Sequence, residues 1–496
     1  MKDFKEKTIR GGFAKLCGQA IGFVIRIGQM AVMARLLDPK DFGLVAMVTV
    51  VTGIYGLFTS AGLSSATIQS ASINDEQIST LFWINLLVGA VLAVLCLVSA
   101  PVIVLFYHEP RLFWVTVAMA AGFIFNAAGV QHFAILQRQI RFVALTVIDI
   151  LSTLLTLAIG VGMAVAGFGY WALVAMSIAY PAICTICYVL TTAWIPGLPR
   201  RGAGVRSMLH FGGVITLNGL VVYIAYNFEK ILLGRFWGAD ALGIYGRAYQ
   251  IANIPTQNIN MAVGGVVFSS LSRVQDDPER CKSIFLKCYS LVLSMTIPIT
   301  IFSAVFANEI ILVLLGPKWK EAAVIFRLLT PTILIFGMIN PFGNLLFAIG
   351  RTGRSLKLAL VIAPLVITSY VLGMPYGPRG VAFAYSAAMT LWFIPHIVWC
   401  IHGTAISPRD ILRTVKQPYL AALAAALFTS LFQFFLGHLV SPIPRLVLGG
   451  AILFGSYICM LLFVLGQKEF YLDLVRGLKG AATSDAKELE PAPADP

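Results

Sequence analysis

Apolar runs of about twenty residues recur along the whole of this 496-residue chain, and each is long enough to cross a bilayer as a helix. Inside hydrocarbon the backbone must satisfy its own hydrogen bonds, so only helices and closed barrels can span it. A barrel would show strictly alternating segments of about ten residues, and the chain has none. Only 12% of its residues are charged and 58% are hydrophobic, against about 25% charged in a soluble domain. The expected fold is therefore an all-α polytopic membrane protein. Fourteen spans are expected, near 11–37, 42–67, 80–105, 112–136, 143–166, 170–192, 207–233, 243–270, 284–306, 322–347, 356–374, 379–401, 417–438 and 444–466. The apolar piece from Asn308 to Leu315 is too short to cross and reads as an extension or an interfacial turn.

One hairpin is written twice. The run Ala34-Arg35-Leu36-Leu37-Asp38-Pro39-Lys40-Asp41-Phe42-Gly43-Leu44 returns as Gly234-Arg235-Phe236-Trp237-Gly238-Ala239-Asp240-Ala241-Leu242-Gly243-Ile244. Arg35 stands in register with Arg235, and Gly43 with Gly243. Each copy opens a block of apolar spans, which points to two pseudo-symmetric six-helix lobes. The expected organisation is an N-lobe over 1–195 with spans 1 to 6, a linker over 196–206, and a C-lobe over 207–402 with spans 7 to 12. Spans 13 and 14 over 403–466 lie outside the repeat, and 467–496 form a partly disordered tail. Asp38 at a cap and Pro39 in the first turn are suited to start the second span.

The net charge of +14 does not point to nucleic acid. Lys and Arg collect in the short cytoplasmic loops of membrane proteins, and most of the basic residues outside the spans do so here if both termini lie inside. The loop from Gln69 to Ser79 is the exception, since it holds Asp75 and Glu76 and no base. The Lys-rich N-terminus leads into an apolar run that carries Arg26 and no cleavage site, so it reads as an uncleaved first span rather than a signal peptide. Cys184 and Cys187 have CxxC spacing but sit inside a span with no charge nearby to activate a thiolate, so they read as small apolar side chains. No Walker A sequence and no large loop are present, so neither a nucleotide-driven pump nor a catalytic domain is expected.

Polar residues within the spans carry the functional argument, because a charge at mid-bilayer costs at least about 2.5–3.5 kcal/mol. In the first span Lys15, Gln19, Arg26 and Gln29, with Gly22 between, follow spacings of four and three and form one stripe. In the seventh, Tyr223, Asn227 and Lys230 share a face, while Glu229 points about a hundred degrees away from Lys230. The eighth adds Tyr245, Tyr249, Asn253, Thr256 and Asn260. The functional reading is a water-filled cleft between lobes whose cations attract phosphate and whose Tyr and Asn side chains meet sugars. The cavity candidates are Arg26, Lys15, Gln19, Gln29, Lys230, Asn227, Tyr223, Tyr249 and Asn253. The structural alternative is that Arg26 and Lys230 pair with Asp149 and Glu229 to fix helix packing, and these two acids are also coupling candidates. No metal ligand set or cofactor is expected, and a proton or sodium ion is the candidate coupling ion. Arg35 and Arg235 read as interface anchors; His132 and His396 read as hydrogen-bonded core residues.

The runs Ala34 to Leu44, Gly62 to Gln69, Leu81 to Asn85, Leu232 to Phe236, Leu242 to Gln250 and Leu271 to Arg280 resemble bacterial polysaccharide exporters. They are similar to the Wzx-type lipid-linked oligosaccharide flippases of the MOP superfamily, in particular the branch of the colanic acid and succinoglycan exporters. The resemblance covers nearly the whole chain and implies a V-shaped pair of six-helix lobes with two added helices. It implies alternating access in the bacterial inner membrane and an undecaprenyl-diphosphate-linked oligosaccharide repeat unit as cargo, carried for exopolysaccharide or capsule synthesis. A polysaccharide polymerase and a chain-length regulator are candidate partners beside the lipid bilayer, and nucleic acid is not. Members of this branch often carry Asp where Glu229 stands, and Lys230 departs from that pattern. The alternatives are a drug antiporter of the same superfamily, which would favour acidic intramembrane residues, a lipid II flippase, and, from another class, a membrane-embedded polymerase or glycosyltransferase, which would need a large loop. The topology predicts that alkaline phosphatase fused after Gly167 is active and that the same fusion within 196–206 is silent; the reverse pattern would invert the orientation.

Overall fold

The computed structural model describes residues 2–59, 67, 73–199, 220, 223–435, 441–469 and 471, with side chains from 18 onward except at 262, 263, 266, 268, 269 and 352. Among these residues there is no strand. Ten segments are long and apolar enough to cross a bilayer, and one of them, Gly353–Ile401, contains two helices. The protein is a polytopic helical membrane protein. The first half of the expected seventh span, residues 200–206 of the linker, most of the text from Ser64 to Gln69 and most of the tail lie outside the described residues.

The first six helices are α1 (Lys2–Leu36), α2 (Pro39–Thr59), α3 (Asp75–Tyr107), α4 (Leu112–Arg138), α5 (Phe142–Val165) and α6 (Trp171–Thr192). Next comes α7 (Phe228–Ser272), which Gly238 interrupts at φ 80° and ψ −176°, a conformation open essentially to glycine alone. The chain continues with α8 (Pro278–Val305), α9 (Ala307–Leu314), α10 (Lys320–Ala348), α11 (Thr352–Gly373), α12 (Gly377–Ile401), α13 (Pro408–Phe435) and α14 (Pro442–Cys459), the last extended by a π turn over Met460–Val464. The eight-residue α9 is the short apolar piece that the sequence marked as unable to cross. The break at Gly238 separates the expected seventh and eighth spans.

The chain forms two compact units. The first holds Met1–Gly246 with Leu314–Trp319 and Met374–Pro378. Within it α3 packs along α4, α4 along α6, α1 along α5, and α5 along α6. The second holds Arg247–Val313, Lys320–Gly373 and Arg379–Pro496. There α8 packs on α10 and α13, and α13 on α14. Its core includes an aromatic trio in which Phe285 stacks on Tyr289 and Phe342 meets both rings at steep angles, with centroid separations of 5.0 to 5.6 Å. The terminal pair of helices is seated by close approach, since Cβ atoms at Gly449 and Gly450 would fall 2.1 and 3.2 Å from the rings of Phe306 and Phe302. An ion pair between Arg445 and Glu309 at 3.1 Å ties α14 to α9.

Inside the first unit the two copies of the repeated hairpin meet each other. A Cβ on Gly43 would lie 1.7 Å from the carbonyl oxygen of Ala239, and one on Gly243 would lie 1.9 Å from that of Pro39. Pro39 and Ala239 are themselves equivalent positions of the repeat, as are Gly43 and Gly243. The contact is therefore reciprocal, the form that two copies adopt about a two-fold axis. Leu44 and Leu242 beside it are fully buried. Trp319 is fully buried too, donating from Nε1 to the Ala34 carbonyl at 2.8 Å and meeting Phe42 edge to face at 5.3 Å.

One expectation about this turn is corrected. The Asp38 carboxylate does not serve as the cap of α2: it meets Lys318 Nζ at 2.7 Å, while the Asp38 N–H donates to Asp41 at 3.2 Å. The cation reached from a distant segment competes for the carboxylate, and the second acid of the motif closes the turn. Elsewhere the caps follow the sequence pattern. Asn74 and Gln77 form a reciprocal capping box at α3, and Asp277 before Pro278 caps α8. In the loop between α3 and α4 the Arg111 guanidinium donates to both oxygens of Glu109, at 2.7 and 2.9 Å. These bonds hold that carboxyl below its ordinary pKa.

Because even one methyl group would collide with a backbone carbonyl, Gly43→Ala and Gly243→Ala are each expected to lower stability by about 1–3 kcal/mol, in the manner of overpacking. Thermal unfolding of the detergent-purified protein measures this. Gly246→Ala, where a Cβ meets nothing within 4 Å, is the control and should leave the midpoint unchanged within the ordinary helix-propensity effect.

Candidate functional site

The stripe on α1 is organised around two small residues. Gly18 and Gly22 are one turn apart, the spacing that lets helices approach closely in membranes. A Cβ at Gly18 would sit 1.9 Å from Thr146 Cγ2 on α5. At Gly22 it would lie 3.3 Å from Arg26 Nη2 and 3.6 Å from Asp149 Oδ2. The bare backbone of Gly22 thus leaves room for the Arg26 side chain to fold back towards α5. There Arg26 Nη1 meets Asp149 Oδ2 at 3.4 Å, and Tyr180 on α6 donates its hydroxyl to Asp149 Oδ1 at 2.6 Å.

This ion pair is open. The side chains of Arg26 and Asp149 keep 53% and 34% of their surface, and at 3.4 Å the pair is longer than a tight charge-assisted bond. Gln19 beyond it is exposed and Gln29 half-buried. The Lys15 side chain lies outside the described residues. The structure therefore joins Arg26 to Asp149, as the packing alternative required, yet leaves about half of the Arg26 side chain exposed.

Tyr223, Asn227 and Lys230 are brought together by their own backbone turn. Asn227 Nδ2 donates to the Tyr223 carbonyl at 2.8 Å, and Lys230 Nζ donates to Asn227 Oδ1 at 2.6 Å. The Tyr223 hydroxyl reaches α2, donating to the Val50 carbonyl at 3.2 Å, over a Gly53 whose Cβ would fall 2.0 Å from it. Lys230 is thus held by an amide, and the proposed pairing with Glu229 is not the arrangement formed. Glu229 is fully buried, and no side chain among the described residues hydrogen-bonds its carboxylate, whose polar neighbours are the backbone N–H groups of Glu229 and Lys230.

Tyr249 and Asn253 belong to the second unit. The Tyr249 ring lies 6.3 Å from that of Tyr385, and Asn253 is half-buried. One turn further along α7, Thr256 and Asn260 line a small pocket with Asn340 and Asn344 of α10 and Tyr289 of α8. The two α10 amides were not singled out from sequence, nor was Tyr180. Asn340 and Asn344 are four apart around Pro341 inside an apolar span, so the spacing rule that found the α1 stripe would have found them. His132 is buried with Nδ1 2.8 Å from Thr192 Oγ1, and Cys184 and Cys187 are free thiols. Arg235 lies 5.9 Å over Phe106 and 5.8 Å over Phe236.

Comparison with known proteins bears on what such a bundle is. The chain is 28% identical to the lipopolysaccharide biosynthesis protein WzxC of Escherichia coli strain K12, over 74% of this chain and 75% of that one. It is 32% identical to the teichuronic acid biosynthesis protein TuaB of Bacillus subtilis strain 168, over 66% and 68%. With the succinoglycan biosynthesis transport protein ExoT of Rhizobium meliloti it shares 23% identity over 93% and 94%. Among solved structures, the lipid II flippase MurJ in an inward closed conformation matches with a TM-score of 0.74 at 15% identity, covering 94% of this chain and all of that one. An inward-facing multidrug resistance MATE transporter of the MOP superfamily matches at 0.62 and 13% identity, over 80% and 96%. At those identities the likeness is one of fold, and it is the architecture that the repeated hairpin implied. Residues 32–324 match the model of the polysaccharide biosynthesis protein family. That stretch takes in both copies of the hairpin, the Arg26 partner Asp149 and the Glu229–Lys230 pair, and the chain belongs to this Wzx-like polysaccharide biosynthesis family.

Proposed function

We propose that this protein is a flippase that moves undecaprenyl-diphosphate-linked oligosaccharide repeat units from the cytoplasmic to the periplasmic leaflet, by alternating access and with both termini cytoplasmic. The observation that carries the reading, beside the family, is Arg26: a cationic side chain 53% exposed in the middle of a helix of an apolar bundle. Facing lipid it would cost at least about 2.5–3.5 kcal/mol, so it faces a water-filled cavity. A cation there attracts a diphosphate, which a guanidinium binds as a fork. Lys230 and Lys15 extend the positive lining. In the first unit Gln19, Gln29, Asn227 and Tyr223 supply amides and hydroxyls of the kind that sugars require, and in the second unit Tyr249 and Asn253 are the candidates of the same chemistry, while the prenyl tail remains in lipid. A cationic drug would call for acids in place of this stripe.

Asp149 holds Arg26 and Tyr180 holds Asp149: in the absence of cargo the carboxylate occupies one edge of the guanidinium, and a diphosphate competes for it. Glu229 is the proposed coupling group. Buried without a side-chain partner among the described residues, it is neutral when protonated and strained when charged, so its proton state biases the bundle between two packings. A proton or a sodium ion reaching it supplies the drive.

Two results test this. Arg26→Ala should abolish polymer export at normal membrane abundance, with complete lipid-linked units accumulating in the cytoplasmic leaflet. Arg26→Ala/Asp149→Asn should fail equally, since a cargo cation is not replaced by removing its holder; recovery of export in the double variant would show a purely structural pair. For Glu229, Glu229→Gln should retain the folded protein and lose at least about tenfold in export rate, a loss of about 1.4 kcal/mol or more. Wild-type rates in that variant would remove it from the coupling role.

A further inference from the structure

The pocket in the second unit is built from neutral groups that both donate and accept. Thr256 and Asn260 on α7, Tyr289 on α8, and Gly337, Asn340 and Asn344 on α10 line it. Tyr289 is fully buried, and its hydroxyl has no hydrogen-bond partner among the described residues. The Thr256 hydroxyl is likewise buried without one. Pro341 has no N–H, so the carbonyl of Gly337, four residues earlier, loses its helical donor. Two buried hydroxyls without a partner among the described residues in one pocket, beside three amides, are unusual, because buried polar atoms in folded proteins are almost always paired. Asn344 is held close to α7 by Gly264, whose Cβ would lie 3.2 Å from Asn344 Nδ2.

The chemistry of the lining selects its occupant. No lining side chain is charged, so a metal cation would lack a countercharge and an acidic group would lack a cation. Each amide offers both a donor and an acceptor, as does each hydroxyl, which is the complement of a row of sugar hydroxyls. Phe285 and Phe336 add apolar walls of the kind that meet the carbon face of a sugar ring. We infer that this pocket is a subsite for one neutral sugar residue, read by Thr256, Asn260, Tyr289, Asn340 and Asn344, and that it sets which repeat unit the protein accepts. The ligand class rests on the exporter reading given above, whereas the site itself rests on the unmet groups of the pocket. A site built to hydrogen-bond hydroxyls discriminates strongly against ligands that lack them, because its own buried groups are then left unpaired.

The test is binding by the full-length protein in detergent, which needs no transport. Ligands are methyl glucoside, methyl N-acetylglucosaminide and glucuronate at tens-of-millimolar concentration, with sodium chloride against choline chloride as the ionic control. Binding to the folded state raises the unfolding temperature by mass action. At least one of the two neutral glycosides is expected to raise it, and glucuronate and sodium are not. Asn344→Leu and Tyr289→Phe should weaken that neutral glycoside by about tenfold or more. Tyr289→Phe should at the same time leave the unliganded protein as stable as wild type or more so, since it deletes an unpaired hydroxyl, which a structural role for that hydroxyl would not do. The inference is overturned if neither neutral glycoside shifts the unfolding temperature. It is also overturned if sodium does so in a manner that Thr256→Val abolishes, which would make the pocket a cation site. Because binding is read without cargo transport, the two readings fail separately: wild-type export by Arg26→Ala with intact glycoside binding would count against the Arg26 cargo reading alone, and absent glycoside binding with export lost in Arg26→Ala would count against the pocket alone.

Discussion

The contact on which the first unit depends is a backbone collision avoided twice. Gly43 lies against the carbonyl of Ala239 and Gly243 against that of Pro39. In lipid there is no hydrophobic force between helices, so association relies on close packing and on small residues that permit it. The two glycines provide that closeness where the repeated hairpins cross. Around them the motif's other residues find their places: Leu44 and Leu242 fill the core beside the crossing, and Trp319 seals its edge by bonding to Ala34. The duplication of the motif and the reciprocity of the contact are the same fact seen in sequence and in space.

Close packing of this kind also governs where polarity is tolerated. Gly18 and Gly22 bring α1 onto α5, and the space over Gly22 is what allows Arg26 to reach Asp149. A larger residue at position 22 would push the guanidinium outward and leave Asp149 to Tyr180 alone. The same device recurs at Gly53, which admits the Tyr223 hydroxyl to the α2 carbonyls, and at Gly337, where α10 approaches Thr296 of α8. Polar groups enter this bundle at positions where a glycine has cleared the way. The two amides around Pro341 are a variant of the rule, with a missing donor in place of a missing side chain.

Much of the candidate site was legible in the sequence because helical spacing is rigid. The α1 stripe and the grouping of Tyr223, Asn227 and Lys230 follow from spacings of three and four, and in the second of these the side chains bond along their own turn. Partners across helices were not legible. Nothing in the chain says that Asp149, rather than Glu229, faces Arg26, or that Lys230 turns to Asn227. Asp38 shows the same limit: its cap chemistry was sound, but Lys318, remote in sequence, took the carboxylate.

By itself the sequence determined the class of fold, the helices and the repeated hairpin. Those depend on hydrophobic length, on the 3.6-residue period and on the cost of unpaired backbone in lipid, all of which are local. Only the tertiary structure decided that the two hairpins meet reciprocally and that Glu229 is sealed away without a described side-chain partner. It alone decided that Thr256 and Tyr289 point their unmet hydroxyls into one pocket with Asn340 and Asn344. The reason is that these are relations between helices: which faces meet is settled by packing across the whole bundle, and no period along one helix records it.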